Sequence, residues 1–309
     1  MFCLLHLHFE SVLRAIAATR PDLLRKVYYT FSTRQYRAAS PAERLHLLEE
    51  QIRLLAQQSG LFTEEVFERV VHVFLKELEW SQVEHADLRI GVSLGKWSWM
   101  RTLADGIAVF QRALDRYPQI TLSFLAALNF AKSRAEIDEI VDLLLTDHFV
   151  QQTFVGIDIN VAPADLVKFA QYAPSLLLAQ QRGMKINIHL GELFENAFSQ
   201  EVLSFLVPNR IGHGVRLLED DGLVDLIQRH HICLDMCPVS NTRLGVWDWR
   251  QPNNPAKRAM QFGIPVSINT DDPILFQTTL AQEMALAHLN VEEIKLIQAT
   301  GRTYGYRER

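Results

Sequence analysis

A repeated rhythm of short apolar runs, each trailed by a helical or mixed segment, constrains this chain more than any other feature. The runs at 2–8, 86–94, 120–127, 154–159, 184–189, 210–212, 232–236 and 264–268 read as eight strands, several of them bounded by Gly, Pro or Asn. Strand-then-helix alternation implies right-handed βαβ units and a parallel sheet. Eight such units in 309 residues favour a closed (β/α)8 TIM barrel, an α/β fold, over an open doubly wound sheet. No GxGxxG or P-loop pattern follows any of the strands, which weakens the nucleotide-binding open-sheet alternative. With no further repeat, low-complexity run or linker, a single domain over 1–309 is expected.

Between the first two runs lies a helical insertion. One helix is expected over 11–26, then an aromatic and basic stretch at 28–37 with no clean period. Two helices follow. The first opens on a capping box, Ser40 with Glu43, and the second on Thr63, with Val66 where the acid would stand. Val66, Val70, Val71, Phe74 and Leu78 then mark a core-facing stripe. Ser133 with Glu136 and Asn290 with Glu293 are further helix starts.

Composition narrows the partners. The net charge is −5 with no basic excess, which argues against a nucleic-acid backbone. Cys3, Cys233 and Cys237 form no CxxC pair and no even framework, so a reducing compartment is expected, with Cys233 and Cys237 as packing residues. The N-terminus lacks a basic region, and His6 and His8 interrupt its apolar run. No stretch approaches the roughly 18 apolar residues that span a bilayer. A soluble cytoplasmic protein without a membrane partner is the expectation; the oligomeric state stays open.

Polar residues gather where the predicted strands end, which in a barrel is the face that carries chemistry. His6 and His8 are two apart on extended chain, so both imidazoles project to one side and can share a metal. His189-Leu190-Gly191-Glu192 adds a third imidazole, and its glycine permits close backbone approach. Asp271 and Asp272 point different ways, so one can bind a metal while the other faces a substrate. Each cluster alone also has a plain structural reading: a satisfied strand-end histidine, a solvated loop acid, an Asx turn closing a strand. Together, three histidines and Asp271 form an N/O donor set suited to zinc with room for a water, whose pKa the metal would lower. His213, between Gly212 and Gly214, would sit beside that metal and orient the water or take its proton.

These motifs, with Cys237-Pro238-Val239-Ser240-Asn241, resemble in order the motif set of the adenosine deaminase family. The match is good from Gly156 to Pro273 and faint between His8 and Val155. The resemblance implies a barrel enzyme with one Zn²⁺ per chain, extra helices over the pocket mouth, and a small-molecule purine substrate that loses its 6-amino group by hydrolysis. It implies His6, His8, His189 and Asp271 as metal ligands. Glu192 would protonate ring N1, His213 would assist the attacking water and Asp272 would hold N7, with Gly191 and Glu10 also at the substrate. A neutral carboxylic acid at N1 stabilises the charge that builds there, which requires Glu192 to have a raised pKa in a closed apolar pocket.

Departures from the family pattern bear on the substrate. Ser11 and Val161 stand where the family usually has glycines, so the aim of Glu10 at a sugar hydroxyl and the approach of backbone to purine N3 are both altered. Arg34 and Arg37 could meet a 5′-phosphate and the neighbouring tyrosines could stack on a base. Lys96, Trp97, Trp99 and Arg101 raise the same question. No lysine ends the fourth strand to bridge two metals, so a binuclear site is not expected. Substrates consistent with this reading are an adenine nucleoside, nucleotide or derivative; alternatives are a free base, an N6-alkylated nucleotide, or binding of a purine without turnover.

Overall fold

A computed structural model describes residues 1–57, 63–91, 100, 102–251 and 254–306. Eight strands run in sequence order around one sheet: β1 (Phe2–His8), β2 (Val83–Ile90), β3 (Thr121–Asn129), β4 (Phe154–Asn160), β5 (Lys185–Leu190), β6 (Arg210–His213), β7 (Cys233–Met236) and β8 (Val266–Ile268). All neighbouring pairs are parallel. Such strands are covered on both faces, which is why their burial is nearly continuous and they read as apolar runs. This is the (β/α)8 barrel that the rhythm predicts.

The seam between β8 and β1 is thin. It consists of a bridge between Leu7 and Asp271, in which the Asp271 amide donates to the His6 carbonyl at 3.2 Å and the His8 amide donates to the Asp271 carbonyl at 3.0 Å. Deeper in, the Asn269 side-chain oxygen accepts from the Leu5 and His6 amides at 2.7 and 3.1 Å. A side chain thus takes the place of ladder bonds that the short last strand does not supply.

At the N-terminal end the barrel interior is filled by a charged knot. Arg210 is fully buried and lies 2.5 Å from Asp87 and 3.0 Å from Asp235, with the Tyr306 ring beneath its guanidinium at 3.8 Å. It also donates to the carbonyls of Leu5 and Tyr304. His85 lies 2.9 Å from Asp87, and Ser267 donates to Asp235 at 2.7 Å. Burial alone would raise the Asp87 carboxyl, but Arg210 and His85 hold it below the usual carboxylate range. His85 and Asp87 also explain why β2 starts at Val83 rather than 86: buried polar residues hide the strand's first turn of the pattern.

The insertion between β1 and β2 differs from expectation at one point. The helix expected over 11–26 is two helices, Ser11–Thr19 and Pro21–Ser32. Pro21 has no amide hydrogen to donate and so opens a new helix at its first position. The stretch 28–37 continues that helix to Ser32, then forms a short helix, Arg34–Ala38, capped by the Thr33 side chain on the Tyr36 amide. The capping boxes at Ser40, Ser133 and Asn290 are formed as predicted. Val70, Val71, Phe74 and Leu78 of the Glu64–Trp80 helix are buried against the barrel core, with Val66 packed at its edge.

A second apolar cluster fixes this insertion over the C-terminal face. Leu13, Ile16, Leu24, Val27, Leu48 and Leu55 meet Leu244, Leu275 and Phe276 from segments that follow β7 and β8. The Pro41–Ala56 helix therefore lies across the barrel mouth, its buried edge in that cluster and its other edge free to face the interior. Cys3, Cys233 and Cys237 are buried and unbonded to one another. Among the described residues, no helix is long and apolar enough to cross a membrane.

Candidate active site

The strand ends bring four imidazoles into one group. His6 has ring centroids of His8, His189 and His213 at 5.0, 4.5 and 5.1 Å, and His189 lies 5.3 Å from His213. Sequence makes room for this: a Cβ on Gly212 would come within 2.7 Å of His6 Cε1, so only glycine on β6 admits that ring. His213 and Asp271 both hold left-handed backbone, φ 66° and 57°, an uncommon and costly conformation for non-glycine residues that clusters at functional sites.

His6 is 1% exposed, and neither of its ring nitrogens has a hydrogen-bond partner. A buried polar group left this way is costly unless something binds it. Asp271 Oδ1 stands 3.6 Å from His6 Nε2 and 3.6 Å from His8 Nδ1. One donor atom from each of His6, His8, Asp158 and His189 falls within a 4.8 Å cluster; His6, His213 and Asp271 form another, and His8, Asp271 and Asp272 a third. Imidazoles and carboxylates are the donor set that borderline divalent ions of the zinc type take, so the residues fit such an ion. The three expected histidines are brought together. Asp271 stands with His6 and with His8 but is not grouped with His189, and Asp158 stands in the group of the three histidines as a donor that sequence reasoning missed.

Three more residues at the cluster were not anticipated. Arg89, at the end of β2, places NH1 3.3 Å from Nε2 of both His8 and His189, and its Nε is 4.0 Å from Asp158. Asp158 itself is 2.8 Å from His189 Nε2. Asn160, two residues on, reaches Arg89. For Asp158 the available signal was a charged residue inside the otherwise apolar, buried β4, which is rare unless paired; Arg89 gives no such signal, because β2 already carries Glu84, His85 and Asp87. The third, Asn241, has its amide nitrogen 3.1 Å from His213 Nδ1, a contact that holds the ring in place.

Glu192 faces His213, with Oε2 3.5 Å from Nε2. Burial, then the charge of Asp271, pushes the Glu192 carboxyl well above its usual range. Burial pushes His213 well below the usual imidazole value, so it is neutral. Burial likewise lowers His189 to about 3. His8 behaves oppositely: burial would lower it, but the charge and hydrogen bond of Asp272 carry it to about 9. Both Glu192 and His213 line a cavity of about 400 Å³ that reaches from the histidines to the Pro41–Ala56 helix. Its walls are largely apolar, with Leu193, Phe194, Phe198, Leu275 and Phe276 among them.

The other expected residues divide. Gly191 lines this cavity in left-handed backbone, φ 64°, and Asp272 lines it with Oδ2 on His8 Nδ1 at 3.0 Å. Val161 is also in the wall, so its side chain stands where a glycine would leave space. Glu10 does not line the cavity: its two oxygens accept from the Ile274 and Leu275 amides at 2.9 and 2.8 Å, and burial, then Asp272, raises it to about 8. Arg34 and Arg37 are exposed and away from the cavity wall. Tyr28 bonds the Ile274 carbonyl, Tyr36 is buried in the second apolar cluster and Tyr29 points to solvent. Phosphate recognition by the 28–37 stretch is thus not supported, because its helical turns carry those side chains outward. Lys96, Trp97, Trp99 and Arg101 lie outside the described residues.

Comparison with known proteins finds relatives in sequence and in fold. The chain is 25% identical over 291 residues to an adenosine deaminase of Shewanella woodyi, covering 91% of this chain and 85% of that protein. It is 38% identical over 120 residues to an adenine deaminase of Sinorhizobium medicae, an alignment covering 38% of this chain and only 36% of that relative. In structure it resembles an adenine deaminase from Arthrobacter aurescens, with TM-score 0.77 and 20% identity over 99% of this chain and 94% of the other. An amidohydrolase from Burkholderia ambifaria with bound Zn has the same fold, with TM-score 0.74 and 16% identity over 99% and 86% of the two chains. The adenosine deaminase family model matches residues 3–301. The chain belongs to the adenosine deaminase family.

Proposed function

We propose that this protein is a metal-dependent hydrolase, with one zinc ion per chain, that removes the 6-amino group of an adenine-type ring. The observation that carries the reading is Glu192, its carboxyl pushed well above the usual range by burial, facing His213 at 3.5 Å in a cavity lined by His8 and His189, both of which lie against the buried, unpartnered His6. His6, His8, His189 and Asp271 would hold the ion, with Asp158 near enough to support His189. When bound, a zinc-type ion supplies a water acidified to near neutrality.

The chain's own groups do the rest. Addition of water at C6 pushes electrons onto N1, and Glu192 gives its proton there. His213, fixed through Nδ1 by Asn241, presents Nε2 to the attacking oxygen and keeps it in line. Asp272 holds N7 and so sets the ring's rotation. As the C6–N bond breaks, one proton of the added water passes to the amino group, which leaves as ammonia, and the other returns to the Glu192 carboxylate, so that a carbonyl remains at C6 and N1 keeps its hydrogen. The apolar wall excludes bulk water, which keeps Glu192 protonated between turnovers.

A free base as substrate is favoured by one observation: Glu10 does not line the cavity, and both its oxygens are turned to backbone amides rather than toward a sugar. The test is ammonia or alkylamine release by the metal-loaded chain from adenine, adenosine, AMP and N6-methyl-AMP. Release from adenine above AMP is expected. No release from any of the four overturns the reading.

A further inference from the structure

The Pro41–Ala56 helix turns one face to the cavity, through Ala42, Leu45, His46, Glu49 and Ile52. These positions are three or four apart along most of the helix, while Leu48 and Leu55 on the other edge are buried in the second apolar cluster. The face toward the histidines is therefore a built wall. It carries two ionisable groups, His46 and Glu49, one turn apart.

The charges around the cavity are uneven. Arg89 is the single Arg or Lys among its described lining residues, and it is committed to Asp158, Asn160 and the histidines. Asp165, also in the wall, is paired with Lys168 at 3.2 Å. Glu49 has no hydrogen-bond or ion-pair partner among the described residues. It stands at the cavity's rim, lining the cavity on one side and exposed to solvent on the other; partial burial raises its carboxyl, and His46, Asp272, Arg53 and Arg89 are the charges that act on it. The histidine end and Glu192 would take the six-membered edge of a purine. The opposite, five-membered edge then points at the helix.

We propose that Glu49 is the specificity residue for the N9 side of the substrate: it accepts a hydrogen bond from a neutral donor there and repels a phosphate. The donor is N9–H in a free base or a hydroxyl in a nucleoside, and the substrates tested tell the two apart. This rests on the deaminase reading, but it also makes a claim about binding that holds without turnover. A hydrogen bond to a charged acceptor contributes about 1.5–3 kcal/mol, roughly 10- to 100-fold in affinity. Placing a phosphate near an unpaired carboxylate in a half-closed cavity costs in the same direction.

The experiment measures dissociation constants by calorimetry and kcat/KM by ammonia release, for adenine, adenosine and AMP. It compares the wild-type chain, Glu49→Gln and Glu49→Lys, each loaded with zinc. The wild type should favour adenine or adenosine over AMP by roughly 100-fold. Glu49→Gln should weaken the favoured neutral ligand about tenfold, and Glu49→Lys should move the AMP-to-neutral ratio by at least about 100-fold toward AMP, chiefly through KM and the dissociation constant. Ratios that stay within about threefold of wild type in both variants overturn the proposal, as does a wild type that binds AMP best. If no ligand releases ammonia but the binding ratios shift as stated, the deaminase reading fails and Glu49 keeps its role.

Discussion

At the N-terminal end of the barrel, buried Arg210 lies between Asp87 and Asp235, and every charge there has an opposite charge in contact. At the C-terminal end, His6 is as deeply buried and neither of its nitrogens is bonded. The two clusters share strands β1, β2 and β6, yet they do different things. The first is closed by the protein's own groups and shapes the interior. The second leaves both His6 nitrogens without a hydrogen-bond partner, which is where the proposed metal would bind. Burial and charge alone do not separate the two ends. The upper one gathers imidazole and carboxylate donors, and among the described residues no arginine or lysine pairs with Asp271 as Arg210 pairs with Asp87 and Asp235 below.

That contrast can be broken in order of expected effect. Glu192→Gln should retain metal and fold while kcat falls about 10³- to 10⁴-fold, the scale of lost general acid catalysis. Metal analysis and turnover on one sample check it; activity near wild type would remove Glu192 from the chemistry. Arg210→Met should destabilise the chain by about 3–5 kcal/mol in urea unfolding, since two buried carboxylates lose their cation. A loss under about 1 kcal/mol would show that the lower knot is no more than filler. His6→Ala should weaken metal binding at least about a hundredfold. The metal-free variant should lose stability only through the cavity the ring leaves, about 1–3 kcal/mol against the metal-free wild type in urea unfolding, because no hydrogen bond is broken.

The smallest effect concerns Glu283, a carboxyl near the open end that is nonetheless satisfied, by the Val239 amide and the Thr278 hydroxyl. Burial pushes it up to about 8 from the usual 4.5. The fold thus favours its protonated form, so its contribution is fully present below about pH 4.5 and fades as pH rises through about 8. Glu283→Gln should flatten that part of the stability-against-pH curve. An unchanged slope would mean the carboxyl is ionised in the fold.

Much of this was legible in the residues. β1 is seen whole because its run is apolar and bounded, and the HxH pair, the HLGE turn and the TDDP knot are each local enough to read. What was hidden depends on separation along the chain. Arg89 and Asp158 gain their meaning from His189, and Asn241 from His213, across strands that no window of sequence joins. Glu10 shows the reverse error. It stands in the right place for a sugar contact, but amides 264 and 265 residues away take both oxygens. Pro21 was a local signal for a helix break within the span expected as one helix.

The thin seam between β8 and β1 has a consequence in time. A ribosome releases His6 and His8 long before their neighbour Asp271, which follows only after seven further strands have been made. Until then the paired imidazoles are an exposed, half-built chelate that can pick up whatever ion the surroundings offer. On the metal reading proposed above, the final selection of metal would belong to the last strand's arrival, when the ring shuts and an ion held by two histidines alone would either gain its remaining ligands or be exchanged.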